Sequence, residues 1–302
     1  MIAVVGPTAS GKTARGVDLA RALGGEIISA DSRQVYRGMD IGTGKDLADY
    51  GSDVTYHLID VAPAGYKYNL YQYLRDARAA LEGIRARGKR PILVGGTGMY
   101  VEALLRGTHL PEVPRNEALR ASLEGKSLTQ LADILASMKA LHNTTDLDTP
   151  ARAIRAIEIE TYYLEHPEAA AQVRPDEATR EDALIIGIDI PRDIRRSRVS
   201  ERLRRRLNDE HMLDEVRHLI HDEGVPPENL IYYGLEYKFL TQHLLGQISY
   251  SEMAAALETA IHQFAKRQMT WFRGMERRGF PIRWLHYDMP HDEFVQAVSD
   301  LL

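Results

Sequence analysis

The chain has 302 residues and a formal net charge of −5; 44% of its residues are hydrophobic and 27% are charged. This balance is typical of a globular protein with a sizeable core, and the length predicts one large domain or two smaller ones. The absence of cysteine excludes disulfides, cysteine-ligated zinc and a thiol nucleophile. No apolar run approaches the ~18 residues of a transmembrane helix, and the apolar start is too short for a signal peptide, so we expect a cytoplasmic location.

The first hundred residues alternate short apolar segments with helical patterns. Runs rich in Ile and Val predict strands at 2–5, 26–30, 57–61 and 91–94. Apolar residues at helical spacing predict helices at 12–23 and 70–87. Strands that alternate with helices predict an α/β fold, in which helices cover both faces of a parallel sheet.

The strand signals stop in the middle of the chain. Helical patterns at 117–123, 128–140 and 150–165 are separated by prolines. We therefore predict a helical insertion domain at 113–180, between a first core segment at 1–112 and a second at 181–302. The second core segment is predicted to be mainly helical, with strands at 183–190 and 282–287.

A phosphate-binding motif follows the first predicted strand. Its residues, Gly6, Pro7, Thr8, Ala9, Ser10, Gly11, Lys12 and Thr13, match G-x-x-x-x-G-K-[ST] and open a predicted helix. In this phosphate loop, backbone N–H groups and Lys12 would hold a diphosphate or triphosphate, and Thr13 would offer a hydroxyl to Mg²⁺. The motif identifies the ligand but not the reaction, since kinases, ATPases and GTPases use it, and it also suits a diphosphate leaving group.

Two further loops follow predicted strands at the same edge of the sheet. Asp31 comes after the second strand and Thr97, within a Gly-Gly-Thr-Gly turn, after the fourth. Ligands of open α/β sheets bind at this edge, so both side chains are candidates for catalysis. Taken alone, Asp31 would more often be a helix N-cap or a loop aspartate, and Thr97 could belong to a helix-entry turn.

Positive charge is concentrated in the second half of the chain. Eight arginines lie between 192 and 206, and six basic residues lie between 266 and 283. Charge alone leaves two interpretations open, a solvated helix face or a surface for an anionic partner.

Several segments together resemble the tRNA dimethylallyltransferase family. They are GPTASGKT, SADSRQVYRGMDIGTGK, HLID and GKRPILVGGTGMY in the first hundred residues, then RAIRAIE at 152–158 and AKRQMTWFR at 265–273. The phosphate loop is generic, but DSRQVYR, the GGTG turn and KRQMTWFR are specific in combination. The resemblance covers about 2–285 and implies a P-loop NTPase-like sheet of the compact bacterial type, without a zinc finger.

This resemblance implies a reaction and a set of roles. The family transfers a dimethylallyl group from dimethylallyl diphosphate to N6 of an adenosine next to the anticodon of tRNA and releases diphosphate. The phosphate loop would hold the diphosphate, with Mg²⁺ near Thr13. Asp31 would accept a proton from the adenine amine, and Thr97 would hydrogen-bond the oxygen that bridges the allyl carbon and the diphosphate. An arginine of the 192–206 stretch would contact the diphosphate, and Arg198 and Arg202 match equally well.

The resemblance also implies that a monomer binds the anticodon stem-loop of tRNA. The implied contacts are Asp31, Ser32, Arg33, Gln34, Thr97, Arg120, Ala151, Arg152, Ala153, Ile154, Arg155, Lys266, Arg267, Gln268, Met269, Thr270, Trp271, Phe272 and Arg273. We expect at least one of the two aromatic residues at 271 and 272 to pack in the core instead. The chain departs from the family pattern at Gly44, at Ala151 and at 234–238.

Three other functions fit parts of the sequence. An adenylate dimethylallyltransferase uses the same donor, but a free nucleotide needs neither the helical insertion nor the basic stretch at 266–273. A kinase would use Asp60 as a metal ligand, but it has no evident use for the GGTG turn. An RNA-binding module without catalysis would leave Asp31 and Thr97 unexplained.

Overall fold

The computed structural model describes residues 1–140, 145–173 and 180–302. It divides into two compact units, which we call unit 1 (Met1–Arg106 with Arg180–Leu302) and unit 2 (Gly107–Thr179). Unit 2 begins at 107, ahead of the start at 113 that was predicted for the helical insertion. No helix in the described ranges is long and apolar enough to cross a membrane.

Unit 1 is built on a parallel sheet. Its strands are β1 (Ile2–Val5), β2 (Gly25–Ser29), β3 (Tyr56–His57), β4 (Arg90–Gly95), β5 (Leu184–Asp189) and β6 (Ile282–His286). Their spatial order is β3-β2-β4-β1-β5-β6, and the described pairings are all parallel. Central β1 places Ile2 opposite Ile92 on one side and Leu184 on the other. The predicted α/β fold with a parallel sheet is confirmed.

The helices follow in chain order, and α4 to α7 belong to unit 2. They are α1 (Lys12–Leu23), α2 (Leu70–Ala86), α3 (Gly98–Leu105), α4 (Glu117–Leu123), α5 (Leu128–Met138), α6 (Pro150–Glu165), α7 (Pro167–Gln172), α8 (Arg192–Asn208), α9 (Met212–His221), α10 (Pro227–Tyr233), α11 (Leu235–Leu244), α12 (Tyr250–Arg277) and α13 (His291–Ser299). Local signals set several ends: Asn69 and Ser249 form capping boxes at the starts of α2 and α12. Gly24 ends α1 with a left-handed φ of 61°.

Apolar side chains of the strands form the core around the sheet. One cluster joins the strands to α1 and α13 through Ile2, Ile27, Ile92, Ile186 and Phe294, none of which has exposed surface. A second cluster is contributed mainly by α8 to α12; it includes Val199, Met212, Val216, Leu230 and Met253. Burial on both faces explains the continuous apolar runs of the central strands, and it holds their carboxyl ends at one edge.

The third strand is much shorter than predicted. The segment at 57–61 was expected to be a strand, but β3 ends at His57. Leu58 and Asp60 adopt left-handed φ angles of 65° and 59°, which a strand does not tolerate. The Asp60 N–H donates to the carbonyl of Gln34 at 3.1 Å, and its carboxylate pairs with Lys45. These long-range contacts of Asp60 hold the chain in the turn that ends the strand.

Unit 2 has its own small core. Buried Leu131 and Leu135 of α5 pack with Ala153 and Ile157 of α6 and with Leu123 of α4. The bounds of α4 and α6 match the predicted helices. Helix α5 ends at Met138 instead of 140, because the next residue is in the extended region with φ −149°.

Candidate active site

The phosphate loop joins the carboxyl end of β1 to α1. Ala9 and Gly11 have left-handed φ angles of 62° and 85°. A Cβ atom at Gly6 would lie 2.8 Å from the Ser10 Oγ, so only glycine leaves room for that hydroxyl. The Ser10 hydroxyl is buried, and it has no hydrogen-bond partner among the described residues. The loop therefore wraps closely over the start of α1, where unpaired N–H groups and the helix dipole attract anions.

Lys12 is only partly neutralised by its protein surroundings. Its Nζ donates a long hydrogen bond of 3.4 Å to the carbonyl of Pro7. Burial lowers the pKa of Lys12 to about 8; the Asp31 carboxylate opposes this shift and Arg202 adds to it. A bound diphosphate would supply the negative charge that the charged form of Lys12 lacks.

The structure distinguishes the two candidate arginines of α8. The Arg202 guanidinium donates a hydrogen bond to the Thr8 hydroxyl in the phosphate loop. Burial, together with the positive charge of Arg206, lowers the pKa of Arg202 to about 10. Arg198, one turn earlier, lies over the ring of Tyr287 at 4.7 Å from its centroid. Arg202 is therefore placed at the phosphate loop, and Arg198 is engaged elsewhere.

Hydrogen bonds join the loops that carry Asp31 and Thr97. The Thr97 N–H donates to the Ala30 carbonyl at 3.1 Å. The Thr97 hydroxyl accepts the Ser32 N–H at 3.0 Å and donates to the Ser32 hydroxyl at 3.3 Å. Asp31 Oδ1 accepts the N–H of Arg33 at 2.9 Å. The neighbouring strands β2 and β4 thus bring the loops of Asp31 and Thr97 together at their carboxyl ends, the edge at which the sequence predicted both loops.

Asp60 is committed to a buried ion pair. Lys45 has no exposed surface, and its Nζ donates to the Tyr36 carbonyl at 2.7 Å and to the carboxylates of Asp40 and Asp60. A buried ammonium requires such compensation. The kinase alternative needs Asp60 as a metal ligand, and this geometry assigns that carboxylate to Lys45.

Gln268 of α12 connects two of the loops, and the sequence alone did not reveal this role. It is 6% exposed; its Oε1 accepts the Thr8 N–H at 2.8 Å and its Nε2 donates to the Gly96 carbonyl at 2.9 Å. The sequence does contain one sign of this role: Gln268 is a polar residue at helical spacing within an otherwise apolar stripe, formed by Ile261, Ala265 and Phe272.

Four side chains that the resemblance assigned to tRNA contact are buried. Gln34 is 8% exposed and donates to the Gly44 carbonyl at 2.9 Å. Ala153 and Phe272 have no exposed surface, and Gln268 bridges the two loops. The structure gives these four side chains partners or neighbours within the protein, and their contact with RNA stays a prediction.

The remaining residues of the α12 stretch form an exposed basic surface on unit 1. Its exposed members are Lys266, Arg267, Thr270, Trp271 and Arg273, and Met269 is half-buried. Trp271 is 41% exposed while its neighbour at 272 is fully buried, which confirms that one of the two aromatic residues packs in the core. Burial lowers the pKa of Arg195 on α8, and Arg192, Arg273 and Arg196 lower it further. Positive charges of α8 and α12 thus reinforce one another.

In unit 2, Glu158 holds two of the arginines assigned to tRNA. Its carboxylate accepts from the Asn116 N–H at 2.6 Å, from Arg120 at 2.8 and 2.7 Å, and from Arg155. Burial alone would raise the pKa of Glu158, but these hydrogen bonds outweigh it and lower the pKa to about 2. Arg120 and Arg155 are half-buried and oriented by this carboxylate, whereas Arg152 is exposed and pairs with Asp148. On the same helix, Ala151 is exposed and Ile154 is half-buried.

Two further charged residues lie near Arg202 that the sequence alone did not identify. Arg206 is buried, and its Nε has no hydrogen-bond partner among the described residues. Its guanidinium occupies the space where a side chain at Gly44 would extend, which explains the glycine at this departure from the family pattern. Burial raises the pKa of Glu236, at the start of α11, while Arg206 and Arg202 oppose the shift.

Comparison with known proteins gives consistent results. The family model described as IPP transferase matches residues 34–275, and a model described as isopentenyl transferase matches residues 1–53. The chain is 58% identical to tRNA dimethylallyltransferase 1 of Porphyromonas gingivalis, covering 100% of this chain and 98% of the relative. It is 54% identical to tRNA dimethylallyltransferase 2 of Bacteroides fragilis, with 100% and 97% covered.

Solved structures share the fold. The tRNA isopentenylpyrophosphate transferase of Bacillus halodurans matches with a TM-score of 0.71 at 30% identity, over 99% of this chain and 94% of that one. A eukaryotic dimethylallyltransferase acting on tRNA matches with a TM-score of 0.77 at 22% identity, over 95% and 73%, and supports the fold alone. By its family model and its full-length relatives, the chain belongs to the IPP transferase family.

Proposed function

We propose that this protein transfers a dimethylallyl group from dimethylallyl diphosphate to N6 of an adenosine next to the anticodon of tRNA and releases diphosphate. One observation carries the proposal: in a member of the IPP transferase family, hydrogen bonds join the phosphate loop, the Thr97 turn and the loop of Asp31 at the carboxyl edge of the sheet. A diphosphate cradle beside a carboxylate and a hydroxyl suits displacement of diphosphate by a weak nucleophile.

The phosphate loop, Lys12 and Arg202 would bind the diphosphate. Burial is the main cause of the lowered pKa of both side chains. A bound anion would offset the energetic cost of keeping these two buried groups charged. No group of three His, Cys, Asp or Glu side chains in the described ranges is arranged to hold a metal ion. Thr13 in the first turn of α1 fits the usual arrangement for Mg²⁺, which takes few protein ligands and keeps phosphate and water oxygens. When bound there, Mg²⁺ would neutralise charge on the leaving diphosphate.

Asp31 would act on the attacking nitrogen, and Thr97 would act on the leaving oxygen. The adenine N6 forms a bond to the allyl carbon while the carbon–oxygen bond to diphosphate breaks. Asp31 takes a proton from N6, and general bases of this kind typically contribute ~10²–10⁴-fold in rate. The Thr97 hydroxyl accepts the Ser32 N–H and donates to the Ser32 hydroxyl at 3.3 Å, so its proton would turn from Ser32 to the bridging oxygen that leaves with the diphosphate. Closing the site to water would protect the allyl cation character of the transition state.

The exposed basic residues would bind the phosphate backbone of tRNA. In unit 1 these are the residues of α12 from Lys266 to Arg273 that remain exposed. In unit 2, the exposed Arg152 and the oriented Arg120 and Arg155 are the candidates. A phosphate backbone requires such local positive charge even when the net charge of the protein is negative. We further propose that the protein acts as a monomer in the cytoplasm.

One experiment tests the reaction and its acceptor together. Labelled dimethylallyl diphosphate is incubated with unmodified tRNA, with AMP as the parallel acceptor and with Asp31→Asn as the catalytic control. We expect label in tRNA alone, and its loss in the variant. Label in AMP would establish a nucleotide dimethylallyltransferase instead. A parallel incubation contains ATP instead of dimethylallyl diphosphate. Phosphoryl transfer from ATP, together with no label in either acceptor, would contradict the prenyltransferase proposal.

A further inference from the structure

Gln268 is a polar side chain in the buried face of a basic helix. It lies in the stripe formed by Ile261, Ala265, Phe272 and Met275, all of which are buried. Its neighbours in sequence, Lys266 and Arg267, are exposed on the outer face. An amide in this position is unfavourable unless both of its ends are hydrogen-bonded, and both are.

The two partners of Gln268 belong to different halves of the candidate site. Its Oε1 takes the N–H of Thr8, so that N–H is not one of the donors left for a bound diphosphate. Its Nε2 donates to the carbonyl of Gly96. A Cβ atom at Gly96 would collide with this Nε2, so the amide rests directly on the glycine backbone.

The carbonyl of Gly96 and the N–H of Thr97 belong to one planar peptide group. Gln268 holds its oxygen, and the Ala30 carbonyl accepts its N–H at 3.1 Å. The peptide that precedes Thr97 is therefore held from both sides. Since Ala30 directly precedes Asp31, the same hydrogen bonds connect the phosphate loop through Gln268 to both proposed catalytic side chains.

We propose that Gln268 is a positioning residue, which sets the distance between the phosphate loop and the Thr97 hydroxyl so that both act on the same departing diphosphate. This inference rests on the proposed function, because it assigns the two loops to one leaving group. Thr8 is the shared point of attachment, since its hydroxyl also accepts from Arg202 while its N–H donates to Gln268.

Two substitutions separate this role from RNA contact and from simple stability. Gln268→Glu keeps an acceptor for the Thr8 N–H but places carboxylate charge against the Gly96 carbonyl, and Gln268→Met removes both hydrogen bonds. Gln263, which is exposed on the same helix, provides matched controls as Gln263→Glu and Gln263→Met. We expect both Gln268 variants to lower kcat about 10²-fold, as small displacements of reacting groups do, with an unchanged KM for tRNA.

The pH profile is the more specific measurement. A protonated glutamic acid can donate to the Gly96 carbonyl as glutamine does, so the activity of Gln268→Glu relative to wild type should rise as the pH falls. Gln268→Met should show no such recovery. A raised KM for tRNA with unchanged kcat would show an RNA contact and overturn the proposal, as would a lowered Tm with unchanged kcat.

Binding of inorganic diphosphate with Mg²⁺ keeps the test independent of the acceptor. We expect Gln268→Met to bind it more weakly than Gln263→Met, because the phosphate loop loses its attachment to α12. If wild-type protein transfers nothing to tRNA, the proposed function fails while this comparison still stands. Equal binding by the two variants would refute the positioning role.

Discussion

Replacing Glu158 with glutamine should destabilise unit 2 and leave unit 1 intact. The side chain is 1% exposed and receives hydrogen bonds from Arg120, Arg155 and the N–H of Asn116. A pKa that is 4.5 in the free residue and about 2 in the folded protein corresponds to roughly 3 kcal/mol of stabilisation. Removing one partner from a buried ion pair typically costs about 3–5 kcal/mol, in agreement with this value.

The assay is hydrogen exchange of the peptides that contain α4 and α6, measured with increasing urea. Exchange reports each unit separately, which a single melting curve does not. We expect Glu158→Gln to lower the free energy of opening of these helices by about 3 kcal/mol and to leave β1 and β4 unchanged. Glu165→Gln, an exposed position on the same helix, should have an effect within about 0.5 kcal/mol.

The dependence on pH gives the result that would refute this reasoning. A carboxyl group with a lowered pKa contributes fully above the unfolded value of 4.5, and the contribution is lost as the pH falls toward about 2. The difference between wild type and Glu158→Gln should therefore narrow as the pH falls below about 5. A constant difference, or a cost no larger than that of Glu165→Gln, would show that the ion pair does not stabilise unit 2.

The remaining predictions concern the candidate active site. Asp31→Asn should lower single-turnover transfer by ~10²–10⁴-fold and keep affinity for inorganic diphosphate; equal loss of both would argue against a general base. Arg202→Lys should slow transfer by about 10²-fold, whereas Arg198→Lys should stay near wild type. Because the pKa of Lys12 is lowered to about 8, its charge is present below that pH, so diphosphate affinity should weaken above about pH 8, and Lys12→Arg should abolish this dependence. Gly44→Ala should lower the Tm, because the residue has φ 65° and a guanidinium fills the space beside it.

Local sequence determined much of the framework. The apolar run of β1, the phosphate loop and α1 were predicted with correct bounds, because periodicity, glycine and helix-opening signals are encoded within a few residues. Placing Asp31 and Thr97 together also followed from sequence, since the carboxyl ends of parallel strands meet at one edge. The family itself could be identified from the order and spacing of short motifs.

Only the tertiary structure decided which matching residues reach the site. Arg198 and Arg202 are one helical turn apart and match the family pattern equally well. In the structure, Arg202 contacts the phosphate loop, whereas Arg198 lies over the ring of Tyr287. By sequence, Gln268 belongs to a basic segment that is expected at the surface. In the structure its helix face is buried, and it bonds Thr8 and Gly96, which lie in two loops far from it in the chain. Such roles depend on partners far away in sequence, and packing, not local propensity, selects those partners.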